Sequence, residues 1–195
     1  MAKVPKAQPR SKLDIEAITQ KIVREFQPQA LRTPQSFRIE TFFETELEQI
    51  TEVKVDYREL PISVYGYTDI ERMESVIDSR LMESEAISDV RFVRSTIGHE
   101  TGHVIMHVPE FRLHKAIKKL VNDDTSLKFY REQDIVIYRN PEWQAWWFAK
   151  CLLMPSPAVR LAVDEGFSIY EMSELFNVNP AFVRSRLKGM GLLKL

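Results

Sequence analysis

The run His99-Glu100-Thr101-Gly102-His103 sets two imidazoles four residues apart with a carboxylate between them. On a helix, positions i and i+4 share one face, so both rings can converge on a single metal ion. Each neutral imidazole would supply a nitrogen at about 2.0–2.1 Å. Glu100 lies one step round the helix, wrongly angled for a ligand but able to reach a metal-bound water. Zinc lowers the pKa of such a water, and an adjacent carboxylate can take its proton. The spacing therefore encodes two ligands and a general base together. By chance it arises in roughly one chain of this length in a hundred. Ordinary surface histidines are the competing reading. Against them stand Phe92, Val93, Ile97, Val104 and Ile105, which predict a largely buried helix, and buried histidines require partners. Gly102 costs about 1 kcal/mol relative to alanine inside a helix. That cost is understandable if another element or a substrate must come close.

All four histidines lie between residues 99 and 114. His107 continues the four-residue spacing, but it sits about 12 Å along the axis from His99, too far to share its metal. It reads as a supporting or core histidine. The metzincin pattern would need glycine and histidine where Met106 and Pro109 stand, so that class is rejected. His114, among Lys115, Lys118 and Lys119, reads as exposed. For a third ligand the best candidate is Glu142 in Asn140-Pro141-Glu142. Asn140 is a good N-cap and Pro141 suits the first helical position. Glu142, Ala145, Phe148 or Ala149, and Leu152 then share a mostly apolar face, with Ala145 permitting close helix approach. Glu142 could equally serve only the helix dipole. Spacing alone leaves these two readings even, with Glu110, Asp123, Asp124, Glu132 and Asp134 as rival acids.

The elements that must position these groups follow from capping and periodicity. Ser11 and Asp14 are spaced as a capping box for a helix over 12–26, with Leu13, Ile15, Ile18, Ile22 and Phe26 as its apolar stripe. A second helix is predicted over 36–50, with Phe43, Leu47 and Ile50 inward. Strand-like pieces follow at 53–57, 62–67 and 74–77, with a turn suggested by Gly66 and Asp69. The histidine helix is expected over 87–108, stopped by Pro109. Ser168 and Glu171 form a second capping box, opening a helix to Phe176. Asn177–Asn179 makes a turn, and Asn179 with Pro180 starts a last helix that Gly189 ends. Two short helices about a tight turn look like a helix-turn-helix. Cys151, in an apolar helix, reads as core packing. Trp143, Trp146 and Trp147 read as packing, with one available to line a cleft.

Lys and Arg total 27 and Asp and Glu 28, a net charge of −1. Near-neutrality argues against nucleic acid as the main partner of the whole chain. Local bias remains: Lys3, Lys6, Arg10 and Lys12 make residues 1–12 a flexible basic tail, and Arg184, Arg186, Lys188 and Lys194 make the C-terminal stretch basic. A single cysteine excludes a disulfide scaffold and favours a reducing, cytoplasmic setting. No apolar run approaches the roughly 18 residues that a membrane span needs, and the N-terminus lacks the apolar stretch of a signal peptide.

Taken together, Arg91-Phe92, the run Ile97-Gly-His-Glu-x-Gly-His-Val-Ile-Met-His107, and Glu142-x-Gln-Ala-x-x-Phe-Ala-x-x-Leu-Leu-Met-Pro155 make the chain resemble the ImmA/IrrE metallopeptidases. The resemblance implies an α+β fold: a mainly helical, zincin-like metallopeptidase domain with a small β-sheet over 13–160, then a helix-turn-helix-like segment over 161–195. It implies zinc held by His99, His103 and Glu142, with Glu100 as catalytic base. It implies a protein substrate, a helix-turn-helix repressor cleaved in control of a mobile element or stress response. One departure stands out: the family often has Glu-x-Glu-Ala-Asn where this chain has Glu142-Trp-Gln144-Ala-Trp146. The alternative function is a non-enzymatic DNA-binding or protein-interaction regulator, of toxin–antitoxin type for instance, whose metal is structural or sensory. DNA contact through the C-terminal segment is the minor reading.

Overall fold

The computed structural model describes residues 3–193. Lys194, part of the basic C-terminal stretch, lies outside them, as do the first two residues of the N-terminal tail. Strand β1 (Lys3–Pro5) leads to helix α1 (Lys12–Phe26). Short α2 (Ile39–Thr41) runs through a π-helical stretch, Phe42–Leu47, into α3 (Glu48–Thr51). Strands β2 (Lys54–Arg58), β3 (Gly66–Asp69) and β4 (Glu74–Asp78) follow. Then come α4 (Ile87–Gly102), a second π-helical stretch (His103–His107), α5 (Val108–Leu120) and β5 (Phe129–Arg131). Helices α6 (Pro141–Leu153), α7 (Ser156–Asp164), α8 (Ile169–Phe176) and α9 (Pro180–Gly189) complete the chain. The fold is mostly helical with small sheets, as α+β requires.

β4 is the centre of a three-stranded mixed sheet, parallel to β2 and antiparallel to β3. β3 is therefore an edge strand, and it faces α4. Gly66–Asp69, expected as a turn, is this strand; the reversal falls just after it, where Met73 takes φ 53°. Ile15, Phe37, Phe43, Leu47, Ile97, Phe148 and Leu152 are fully buried in one core. The Ser11–Asp14 capping box of α1 is present in full. The helix turns its Ile15, Thr19 and Val23 face inward. Leu13, expected on that face, is 78% exposed. Ile50, expected inward, is also exposed, because the π stretch before it rotates the last turn.

Pro109 does not stop the histidine helix, which continues to Leu120. A proline ring normally collides with the carbonyl four residues back and removes a ladder donor. Here the π stretch lengthens the ladder just before it, with Val108 N–H donating to His103 O, five residues back. The helix thereby passes the proline instead of breaking.

The tail expected to be flexible is docked. β1 pairs antiparallel with β5, Val4 opposite Tyr130, and Ala7 N–H donates to Arg139 O at 2.9 Å. α4 and α6 cross at small residues. A Cβ on Gly98 would lie 3.2 Å from Ala149 Cβ, and one on Gly102 would lie 3.1 Å from Ala145 Cα. Small side chains on both helices permit this spacing. The C-terminal helices join the same core through Phe176, Val178, Val183 and Leu187. Buried Arg94 on α4 donates to Asn177 O at 2.9 Å and to Glu40 at 2.7 Å. Arg186 on α9 is fully buried, paired with Glu16 and donating to Met154 O at 3.1 Å.

Candidate metal centre

Three elements deliver the donor atoms. His99 stands on the last turn of α4, His103 opens the π stretch, and Glu142 lies in the first turn of α6. Asn140 fixes that first turn: its side-chain oxygen accepts from Glu142 N at 2.9 Å and Trp143 N at 3.2 Å. The close α4–α6 crossing then brings the Glu142 carboxylate over the two imidazoles. His99 Nε2 lies 3.1 Å from His103 Nε2. The Glu142 oxygens lie 3.2 Å from His99 Nε2 and 3.5 Å from His103 Nε2.

These separations fit a tetrahedral cation. Bonds of about 2.0–2.1 Å at tetrahedral angles give ligand–ligand edges of about 3.3–3.4 Å. Lone pairs of two nitrogens and a carboxylate converge here, a donor set suited to zinc. Among the described residues it is the one group of three such donors within 4.8 Å of one another. Burial opposes ionisation of Glu142, but the His103 and His99 imidazoles against it outweigh burial, holding the carboxyl well below its usual range. The rival acids are engaged elsewhere or exposed. Glu110 binds Arg10, Glu132 accepts from Asn140, and Asp123, Asp124 and Asp134 face solvent.

Glu100 is buried and turned toward β3. Its Oε2 accepts from Thr68 Oγ1 at 2.8 Å. A Cβ on Gly66 would lie 3.0 Å from Glu100 Cγ and 3.2 Å from Oε1. Gly66 thus opens the space in which the carboxylate sits, and Thr68 orients it. No pattern within strand residues pointed to either role.

The remaining neighbours are unequal. His103 Nδ1 meets His107 Nδ1 at 3.0 Å, and His107 Nε2 meets Gln144 Oε1 at 3.0 Å. Burial, then the neighbouring His103, push the His107 pKa well below the ordinary imidazole value. His99 Nδ1 is buried with no hydrogen-bond partner among the described residues. Trp146 packs on the His99 ring at 4.3 Å between centroids, so the departure noted at this position falls directly against a candidate ligand. His114 is exposed. Cys151 is buried, and burial drives its thiol above the range in which it could act as a nucleophile.

A cavity of about 620 Å³ opens beside His103 and Glu142. Thr68 and Ile70 form one wall and Val108, Phe111 and Phe129 another. Among the described residues no helix is long and apolar enough to cross a membrane.

An α+β fold with two helix-borne histidines, an intervening glutamate and a third carboxylate from a crossing helix defines a candidate metal-binding protein. The IrrE N-terminal-like domain family, Peptidase M78, matches residues 89–188, and the chain belongs to this family, which is one of metallopeptidases. A Mycobacterium tuberculosis transcriptional regulator of known structure superposes with a TM-score of 0.58 at 14% identity. The match covers 90% of this chain and 46% of that one, so this chain spans less than half its length, and the likeness is one of fold. No curated protein matches the chain.

Proposed function

We propose that the protein is a zinc-dependent endopeptidase acting on a protein substrate. The observation that carries this reading is the convergence of His99, His103 and Glu142 beside a buried carboxylate held by Thr68. A structural or sensory metal site needs the three ligands but has no use for Glu100. A bound zinc supplies Lewis acidity toward the scissile carbonyl and the attacking water. Glu100 takes the proton from that water and returns it to the leaving amine. Thr68 fixes one carboxylate oxygen and leaves the other for the proton. The β3 edge and the adjoining cavity hold the substrate chain across the site.

The substrate we infer is a helix-turn-helix repressor, a reading that rests on the family resemblance. DNA contact by the chain itself is the weaker alternative. The C-terminal pair α8–α9 keeps Arg184 and Lys188 exposed but spends Arg186 on an internal pair with Glu16. Glu100→Gln tests the mechanism. It should bind zinc as wild type does and lose cleavage across a panel of such repressors. Cleavage at the wild-type rate by this variant would refute Glu100 as the base.

A further inference from the structure

Gln144 is fully buried, and one orientation of its amide satisfies every neighbour. Its Nε2 donates to two backbone carbonyls, Gln8 O at 2.8 Å and Tyr138 O at 2.8 Å. Carbonyls only accept, so the amide nitrogen must face this pair and Oε1 must face away. On that side Oε1 meets Arg10 Nη1 at 3.0 Å and His107 Nε2 at 3.0 Å. An amide oxygen cannot donate, so His107 carries its proton on Nε2. Its Nδ1 is then an acceptor, 3.0 Å from His103 Nδ1. His103 must donate there, which leaves the lone pair of its Nε2 facing His99 and Glu142. Each tautomer follows from the one before, beginning at two main-chain oxygens.

We propose that Gln144 and Arg10 are positioning residues for the metal centre: through His107 they set the tautomer and ring orientation of His103, resting on the zinc site proposed above. Arg10 comes from the N-terminal segment, outside the part of the chain that matches the family. It is itself fixed by Glu110 at 2.7 Å and by the Met106 carbonyl at 3.2 Å, inside the π stretch. The β1–β5 pairing holds that segment in place. A glutamate at position 144 would turn an oxygen toward the Gln8 and Tyr138 carbonyls, so the docked arm and the glutamine belong together. The N-terminal segment is therefore part of the metal centre.

Histidine side-chain NMR reads the tautomers directly. In the zinc-loaded full chain, ¹⁵N shifts should show His107 protonated on Nε2 and His103 on Nδ1. Gln144→Met should raise the apparent Kd for zinc, measured by chelator competition, by roughly 10–100-fold while remaining folded. Arg10→Met should weaken zinc in the same direction, and Arg10→Lys, which keeps a donor to Oε1, should recover part of the loss. His107 protonated on Nδ1 in the wild type would overturn the proposal, as would folded Gln144→Met with wild-type zinc affinity. If Gln144→Met does not fold, the wild-type tautomers and the Arg10 pair decide. A wild-type chain that takes up no zinc at His99 and His103 would sink the metal reading, and this proposal with it. Zinc bound with the reverse tautomers sinks the positioning role alone.

Discussion

Gly102→Ala separates two effects that ordinarily act together. Alanine in place of an interior helical glycine should stabilise the helix by about 1 kcal/mol. The new methyl, however, would lie 3.1 Å from Ala145 Cα and 3.2 Å from both Phe148 Cβ and Cδ1. Ordinary carbon contacts are about 3.5–4.0 Å, so the overlap is roughly half an ångström. Ala145 Cα is main chain, so it can give way only if α6 moves as a body. Overpacking of this kind costs about 1–3 kcal/mol. The net expectation is a loss of about 0–2 kcal/mol, or a Tm lower by up to about 8 °C at about 2–4 °C per kcal/mol. Glu142 lies one turn before Ala145 on the displaced helix, so its carboxylate recedes from both imidazoles. Zinc affinity should fall even where stability hardly changes. The assays are thermal unfolding of the metal-free chain and chelator competition for zinc. A Tm raised by the full helical gain, with zinc affinity unchanged, would refute close approach as the reason for the glycine.

Three further perturbations test other parts of the architecture. Gly66→Ala should leave zinc binding intact and reduce kcat/KM by about 10–100-fold, since its methyl displaces Glu100 and sub-ångström misplacement is costly; unchanged turnover would remove Gly66 from the site. Arg186→Met should lower stability by about 1–3 kcal/mol in chemical denaturation, because it leaves the part-buried Glu16 carboxylate and the Met154 carbonyl without their donor; a neutral result would mean the pair is not structural. Burial raises the Glu16 pKa, but Arg186 outweighs it and holds the group below its ordinary value. Its contribution is therefore present above about pH 4.3 and lost as pH falls through the lowered folded value. The stability gap between wild type and Glu16→Gln should accordingly shrink on acidification, and a gap that widens would reverse the assignment.

The parts of the site that were legible in the sequence share one trait: their chemistry is written in local spacing. His99, Glu100 and His103 lie within one helical turn and a half, and the Asn140–Pro141 cap announces where α6 begins. Glu142 needed more, because nothing local says that α6 crosses α4; the linked motif supplied it through resemblance. Thr68, Gly66 and Arg10 were illegible for the same reason taken further. Each acts across a long loop on a helix it does not adjoin in sequence, and none carries a residue type that signals chemistry. Pro109 misled because its usual effect presumes an α-helical ladder, whereas this ladder had already changed register. Leu13 misled because hydrophobicity marks what could be buried, not which of several apolar positions a neighbour covers.

That change of register amounts to one extra residue in an otherwise continuous helix from Ile87 to Leu120. The helix therefore has a reading frame. Deleting one residue between His103 and His107 would let an unbroken α-helix form, which locally is the more regular structure. Because a π turn holds one residue more than an α turn, the shortened helix would keep the downstream residues on nearly the same faces. Val108 and Phe111 would stay in the cavity wall, but Pro109 would confront a carbonyl four residues back. The extra residue is what lets one helix carry the histidines and still run through the proline.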